Sequence, residues 1–190
     1  SLSPSSQPNP QGHTSALTVD MDEFLKAQNN EILETLGVST CTALIAAFPK
    51  RFGYLAHISP KDKIYNNNDT NLVSQITKKI KSFDIYPFER RSVVFVFVAP
   101  HLDSLTNVVN QLIEDGFFLS QIRVSCNAKA KSAAVVYNYD NNDLTVTWTA
   151  NQQGAGPVVY GFQDTVNVGM VVEEIIGMMP ITTIPCTPTF

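Results

Sequence analysis

An α+β domain is what this sequence predicts, for three reasons. A β-branched and aromatic run, "SVVFVFVA" at Ser92–Ala99, has almost no polar interruption and reads as a strand buried on both faces. Two segments space their apolar residues as helices do: Leu72, Ile76, Ile80 and Phe83 within Asn71–Phe83, and Leu105, Val108, Val109 and Leu112 before Gly116. Beyond Gly116 the texture changes to short strands, most clearly in Leu144–Thr149, where Leu144, Val146 and Trp148 alternate with threonines. At 190 residues, 44% hydrophobic and 16% charged, the chain suffices for one domain with a sizeable core.

In chain order, "SLSPSSQPNPQGHTS" is polar and Pro-rich, holds a single large apolar residue, and predicts a disordered arm over residues 1–16 that carries a solvated His13. A single domain is expected over 17–190, with an extension from about 150. Since the sequence opens on Ser1, a processed or trimmed form is expected, and any targeting peptide lies beyond it. Asp69 or Thr70 would cap the Asn71–Phe83 helix, whose "KKIK" at Lys78–Lys81 reads as its wet side. Leu119–Ser125 and Ala133–Tyr139 are strand-like, and "DNND" at Asp140–Asp143 is turn chemistry. A second turn, "NQQGAGP", opens a C-terminal section in which Val168, Val171, Val172, Ile175, Ile176 and Met179 predict a last amphipathic helix, with Met178 and Met179 as core filling.

Several function classes are disfavoured. The net charge of −4 argues against a nucleic-acid partner, which needs concentrated Lys and Arg. No apolar run approaches the 18 residues of a membrane span. Cys41, Cys126 and Cys186 leave two readings: all reduced, or Cys126 paired with Cys186 and Cys41 unpaired. Ligand spacing for zinc is absent, so no metal is expected.

Chemistry concentrates in "TLGVSTCTALIAAFPKRFGYLAHISP", residues 35–60, where His57 follows Cys41 by sixteen residues. A cysteine nucleophile needs thiolate character, and an imidazole in reach supplies both a base and a counter-ion. If Cys41–Phe48 were a strand, a hairpin centred on Arg51 would set His57 opposite Ile45 and leave Cys41 about 13 Å away. If Thr42–Phe48 were a short helix, the strand Gly53–Ser59 would bring His57 back level with Cys41, at a helix N-terminus that favours a thiolate. The lengths therefore favour a helical segment after Cys41. A buried core cysteine is the bland alternative, and Cys126 with His101 is a competing pair that nothing nearby orients.

The stretch "NNEILETLGVSTCTALIAAF…GYLAHISP" resembles the catalytic signature of the CheD chemoreceptor glutamine deamidases, in which Thr-Leu-Gly, a cysteine, an apolar run, a turn and a histidine near proline recur. The same logic is shared by the deamidase toxins of the cytotoxic necrotizing factor type and the Burkholderia lethal factor. The similarity runs over about residues 18–148. It departs at Ser39-Thr40, where the family has Gly-Ser, at the single Gly53 in place of a Gly pair, and at "SCNAKAKS", where a Gly-Gly element is expected. These departures fit a diverged or toxin-like branch better than a chemotaxis enzyme.

What the resemblance implies is an α/β/β/α sandwich of two packed sheets flanked by helices. It makes Cys41 the nucleophile, His57 the base and Thr35 the residue that orients the imidazole. Ser39 and Thr40 fall at the substrate entrance, or serve only as turn residues. The implied activity is deamidation of a glutamine on the surface of a partner protein, through a thioester and without metal or organic cofactor. The implied setting is a bacterial effector or toxin, exported or, alternatively, cytoplasmic. An inactive binding module on the same fold, a transglutaminating or other thiol hydrolase, and a chemotaxis-receptor deamidase proper are the other readings.

Overall fold

Ten strands form two mixed sheets packed face to face, in a computed structural model whose described residues are 15–65, 70–101, 105–151 and 159–168. The first sheet runs β1 (Ser15–Thr18), β3 (Glu31–Val38), β8 (Ser132–Asn138), β9 (Asp143–Asn151) and β10 (Val159–Asn167). The second runs β2 (Glu23–Lys26), β5 (Phe52–Ile58), β4 (Thr42–Phe48), β6 (Val94–Ala99) and β7 (Ile122–Cys126). Parallel pairing occurs between β1 and β3 and between β6 and β7, and the other neighbours are antiparallel. The α+β class and the two packed sheets expected from the sequence are therefore present.

Side-chain alternation decides the layers. On β8 and β9, Ala133, Val135, Tyr137, Leu144, Val146 and Trp148 are buried, while the residues between them are half-buried. They meet Ala43, Ile45, Leu55, Val94, Val96 and Val98 of the second sheet, which forms the inter-sheet core. β4 and β6 are buried on both faces, as their continuous apolar runs require. Their other face, with Leu44, Phe95 and Phe97, packs against α2 (Leu72–Lys79) and α3 (Leu105–Glu114). The short α1 (Pro60–Tyr65) follows β5. A helix layer thus covers the second sheet. The predicted C-terminal helix beyond Val168, and residues 1–14 of the expected arm, lie outside the described residues, while Ser15 and Ala16, expected in that arm, are the start of β1 and pair with Glu31 and Ile32. Among the described residues no helix is long and apolar enough to cross a membrane.

Three local expectations change. Asn71, rather than Asp69 or Thr70, caps α2, its Oδ1 accepting from the Ser74 N–H at 2.9 Å. The strand expected at Leu119–Ser125 begins later, because Leu119–Gln121 is a 3-10 turn leading into β7. Val159–Asn167, not foreseen as a strand, pairs along its whole length with β9. Behind α2, the Gln111 amide bonds Ser74 and Asp115, and Thr77 donates to Asp115 at 2.7 Å, so the helix pair is joined by polar contacts as well as apolar ones.

One contact between the sheets gives a stability prediction. A Cβ added at Gly53 of β5 would sit 2.7 Å from Cε2 and 2.8 Å from Cζ of Tyr137, a fully buried ring on β8 with no room to swing aside. Gly53→Ala is expected to destabilise the protein by about 1–3 kcal/mol through overpacking, read as a lower urea midpoint. Among the described residues the Tyr137 hydroxyl finds no hydrogen-bond partner, and burial holds the phenol well above its ordinary titration range. Tyr137→Phe, which deletes that unpaired group, is therefore expected to leave the midpoint unchanged or raise it. A drop comparable to that of Gly53→Ala would contradict this.

Candidate active site

The segment after Cys41 is a strand and not a helix, because every residue of Ala43–Ala47 is fully buried between two paired neighbours. The expectation of a helical Thr42–Phe48, and of a helix N-terminus beside the thiol, is thereby overturned. Paired burial on both faces outweighed the modest helix preference of the alanines. The expected hairpin centre is corrected as well. Arg51 N–H donates to the Phe48 carbonyl at 2.9 Å, with Pro49 and Lys50 between them. Lys50 takes a positive φ of 71°, so Pro49 and Lys50 form the corner of a type II turn. The hairpin is therefore centred on Lys50, Phe48 faces Phe52, and His57 faces Ala43 in place of Ile45.

That one-residue change at the turn moves His57 two places along β4. Cys41, just before the strand, lies on the diagonal from His57, about 7 Å of strand rise away and within reach of side chains. Cys41, Ala43 and Ile45 point into the inter-sheet core, as does Leu55 on β5, so Cys41 and His57 share the inner face. Cys41 is 4% exposed and His57 3%. Cys41 is reduced, whereas Cys126 is disulfide-bonded. Cys186 lies outside the described residues.

Thr35 reaches the imidazole from the opposite sheet. β3 carries a bulge between Thr35 and Val38, with Gly37 at a φ of 68°. Two residues, Leu36 and Gly37, are thereby turned outward together, and Thr35 and Val38 both face the core. The Thr35 hydroxyl lies 2.7 Å from His57 Nδ1 and donates to the Val19 carbonyl at 2.7 Å. A hydroxyl has one proton. With that proton directed at Val19, Thr35 Oγ1 accepts from Nδ1–H, which makes Nε2 the basic nitrogen of neutral His57. Thr35 is fully buried, so water does not compete for this bond.

Residues that the sequence had not singled out complete the frame. Asp22 donates its backbone N–H to the His57 carbonyl at 2.7 Å. Its carboxylate accepts from the backbone N–H of Ser59 at 2.9 Å and from the Ser59 hydroxyl at 2.8 Å. It thus holds the end of β5 that carries His57. Glu23 stands opposite His57 in the β2–β5 pairing. The signal for Asp22 was the "DMD" turn, where a short polar side chain tolerates the positive φ of 60°.

Ser39 and Thr40 are exposed in the bend that joins β3 to Cys41. His101 is exposed beyond β6 and does not join this group. A cleft of about 560 Å³ opens beside β2 and the starts of α1 and α2, bordered by Asp22, Glu23, Lys61, Asp62 and Gln75. It touches the site only through β2 and the Asp22 turn. Among the described residues no group of three His, Cys, Asp or Glu side chains is placed to hold a metal ion.

No family model matches the chain, and no curated protein does. Among solved structures, the crystal structure of the hypothetical protein YfiH of Bacillus licheniformis is similar at 12% identity and a TM-score of 0.40, over 53% of this chain and 49% of that one. The chain thus spans about half the length of that protein. The likeness is too slight to bring any chemistry to this site.

Proposed function

We propose that the protein is a cysteine amidohydrolase that deamidates glutamine side chains of a target protein, in the manner of the CheD-like and cytotoxic-necrotizing-factor-like enzymes its signature resembles. The observation that carries this reading is the Thr35–His57 hydrogen bond, which leaves Nε2 as the base on the face that Cys41 shares. A buried imidazole N–H needs an acceptor in any case; what supports a chemical task is that this bond makes Nε2 the basic nitrogen on the inner face that carries Cys41.

In this mechanism Nε2 takes the Cys41 proton, and the thiolate adds to the carboxamide carbon of the glutamine. The imidazolium returns the proton to the amide nitrogen as the C–N bond breaks, and ammonia leaves a thioester on Cys41. Nε2 then deprotonates a water that attacks the thioester, and the thiolate departs to give glutamate. Thr35 holds Nδ1–H throughout, as the third member of a triad does. Because the segment after Cys41 is a strand, no helix N-terminus there supplies donors to the developing oxyanion. In this reading Ser39 and Thr40, exposed next to Cys41, meet the incoming segment. Export from a bacterial cell is favoured by the Cys126 disulfide, which persists in oxidising compartments.

The test is ammonia release from dephosphorylated casein, a glutamine-rich probe, with conversion of glutamine to glutamate read by peptide mass. Wild type should release ammonia, and Cys41→Ala should not. Incorporation of an added primary amine in place of ammonia release would reassign the chemistry to transglutamination. The burial of Cys41 favours a second reading, in which the fold is kept for binding and the thiol is inert. Its mark is a Cys41 that resists alkylation in the native protein.

A further inference from the structure

The two most exposed large apolar side chains among the described residues belong to one segment: Phe83 is 82% exposed and Phe88 84%. Tyr86 lies between them at 66%, and its ring stacks on that of Phe88, with centroids 5.8 Å apart and planes 4° from parallel. The segment is where α2 ends. A π-helical turn, Ile80–Asp84, carries it on, and a 3-10 turn, Pro87–Ser92, returns it to β6. Ile80 is buried and fixes the root of the tip, while the rings project from it. Rings standing four-fifths clear of the surface line no groove. They fit a partner that moulds itself around them.

Charge sets this tip apart. Residues 78–91 hold Lys78, Lys79, Lys81, Arg90 and Arg91, five of the chain's 13 Lys and Arg residues, in a protein of net charge −4. The two carboxylates of the segment are matched by cations from elsewhere: Asp84 lies 2.6 Å from Lys26 Nζ and Glu89 2.5 Å from Arg51. Lys78, Lys79 and Arg91 are exposed around the rings, as is Lys50 at the tip of the neighbouring hairpin. The Arg91 guanidinium lies 4.2 Å over the ring of Phe118, which is 41% exposed.

We propose that this aromatic tip docks the protein onto an anionic lipid surface. Phe83 and Phe88 enter the boundary between headgroups and acyl chains, Tyr86 stays at headgroup level, and the surrounding lysines and Arg91 meet the lipid phosphates. The tip lies beside the β4–β5 turn, whereas Cys41 and His57 lie at the other end of those strands, about 20 Å away at strand rise. Docking in this way keeps the candidate site in the aqueous phase, and the proposal does not depend on what that site does.

The test is co-sedimentation of the whole protein with phosphatidylcholine vesicles and with vesicles in which about a third of the lipid is phosphatidylserine. The expected result is pelleting with the anionic vesicles only, weakened by at least about tenfold when salt is raised to about 0.5 M. Phe83→Ser with Phe88→Ser, and separately Lys79→Glu with Arg91→Glu, should each reduce binding by at least about tenfold. Both pairs are surface changes, so circular dichroism should be unaltered. Equal binding to neutral vesicles, binding that survives both double variants, or no pelleting at all would overturn the proposal. Concentration-dependent self-association, lost in the phenylalanine variant and without vesicle binding, would assign the tip to a second copy of the chain instead.

Discussion

Cys41→Ala is expected to abolish glutamine deamidation, by at least about 10⁴-fold, while the protein stays folded. The loss is large because the thiol forms the covalent intermediate, and no other group in the site can replace it. The folding cost is small by comparison. Cys41 is a buried side chain at the start of β4, and its removal costs about 1–3 kcal/mol. His57→Ala is expected to lower turnover by about 10²–10⁴-fold, the usual contribution of a general acid–base. Ammonia release and a urea transition measured on the same preparations separate the two effects. A fully active Cys41→Ala protein would end the proposed mechanism.

Thr35→Val is expected to lower turnover less than His57→Ala, because it leaves the base in place and removes only what orients it. Its structural effect is specific. The Val19 carbonyl loses its donor and His57 Nδ1 its acceptor, both inside the core, at a cost of about 1–3 kcal/mol for each unsatisfied group. Thr35→Ser keeps the hydroxyl and should restore both turnover and the Nδ1-protonated tautomer, which ¹⁵N chemical shifts of the imidazole report directly. Losses for Thr35→Val as large as for His57→Ala would assign Thr35 a further part in the chemistry.

The parts of this fold that were legible in the sequence are those where one periodicity dominates. "SVVFVFVA" is β6, the alternation of Leu144, Val146 and Trp148 is β9, and the spacing before Gly116 gives α3, while that of Leu72, Ile76 and Ile80 gives α2, which ends at Lys79 before a π-helical turn and leaves Phe83, expected on the apolar face, 82% exposed. The segment "TALIAAF" was misread because alanine and leucine suit a helix as well as a strand paired on both sides. Which it becomes is settled by β5 and β6, whose contact with it no local pattern displays. The hairpin register turned on Lys50 adopting a left-handed conformation, for which lysine gives no hint. β10 was missed because its pairing with β9 is a long-range property. His57 was picked out by its spacing from Cys41 and Thr35 by a resemblance, and their hydrogen bond between the two sheets needed the folded chain. Asp22 escaped notice because its role is to hold backbone.

The measurement that tests the central claim most directly is the rate of Cys41 alkylation against pH, followed by intact mass and peptide mapping in wild type and in His57→Ala. If Cys41 and His57 act as a pair, wild-type alkylation stays fast at a pH well below about 8.5, where an ordinary thiol titrates. His57→Ala should then show only the ordinary thiol profile. A Cys41 that is silent in the native protein, or whose profile is the same with and without His57, would contradict the pair and leave the fold as a binding scaffold.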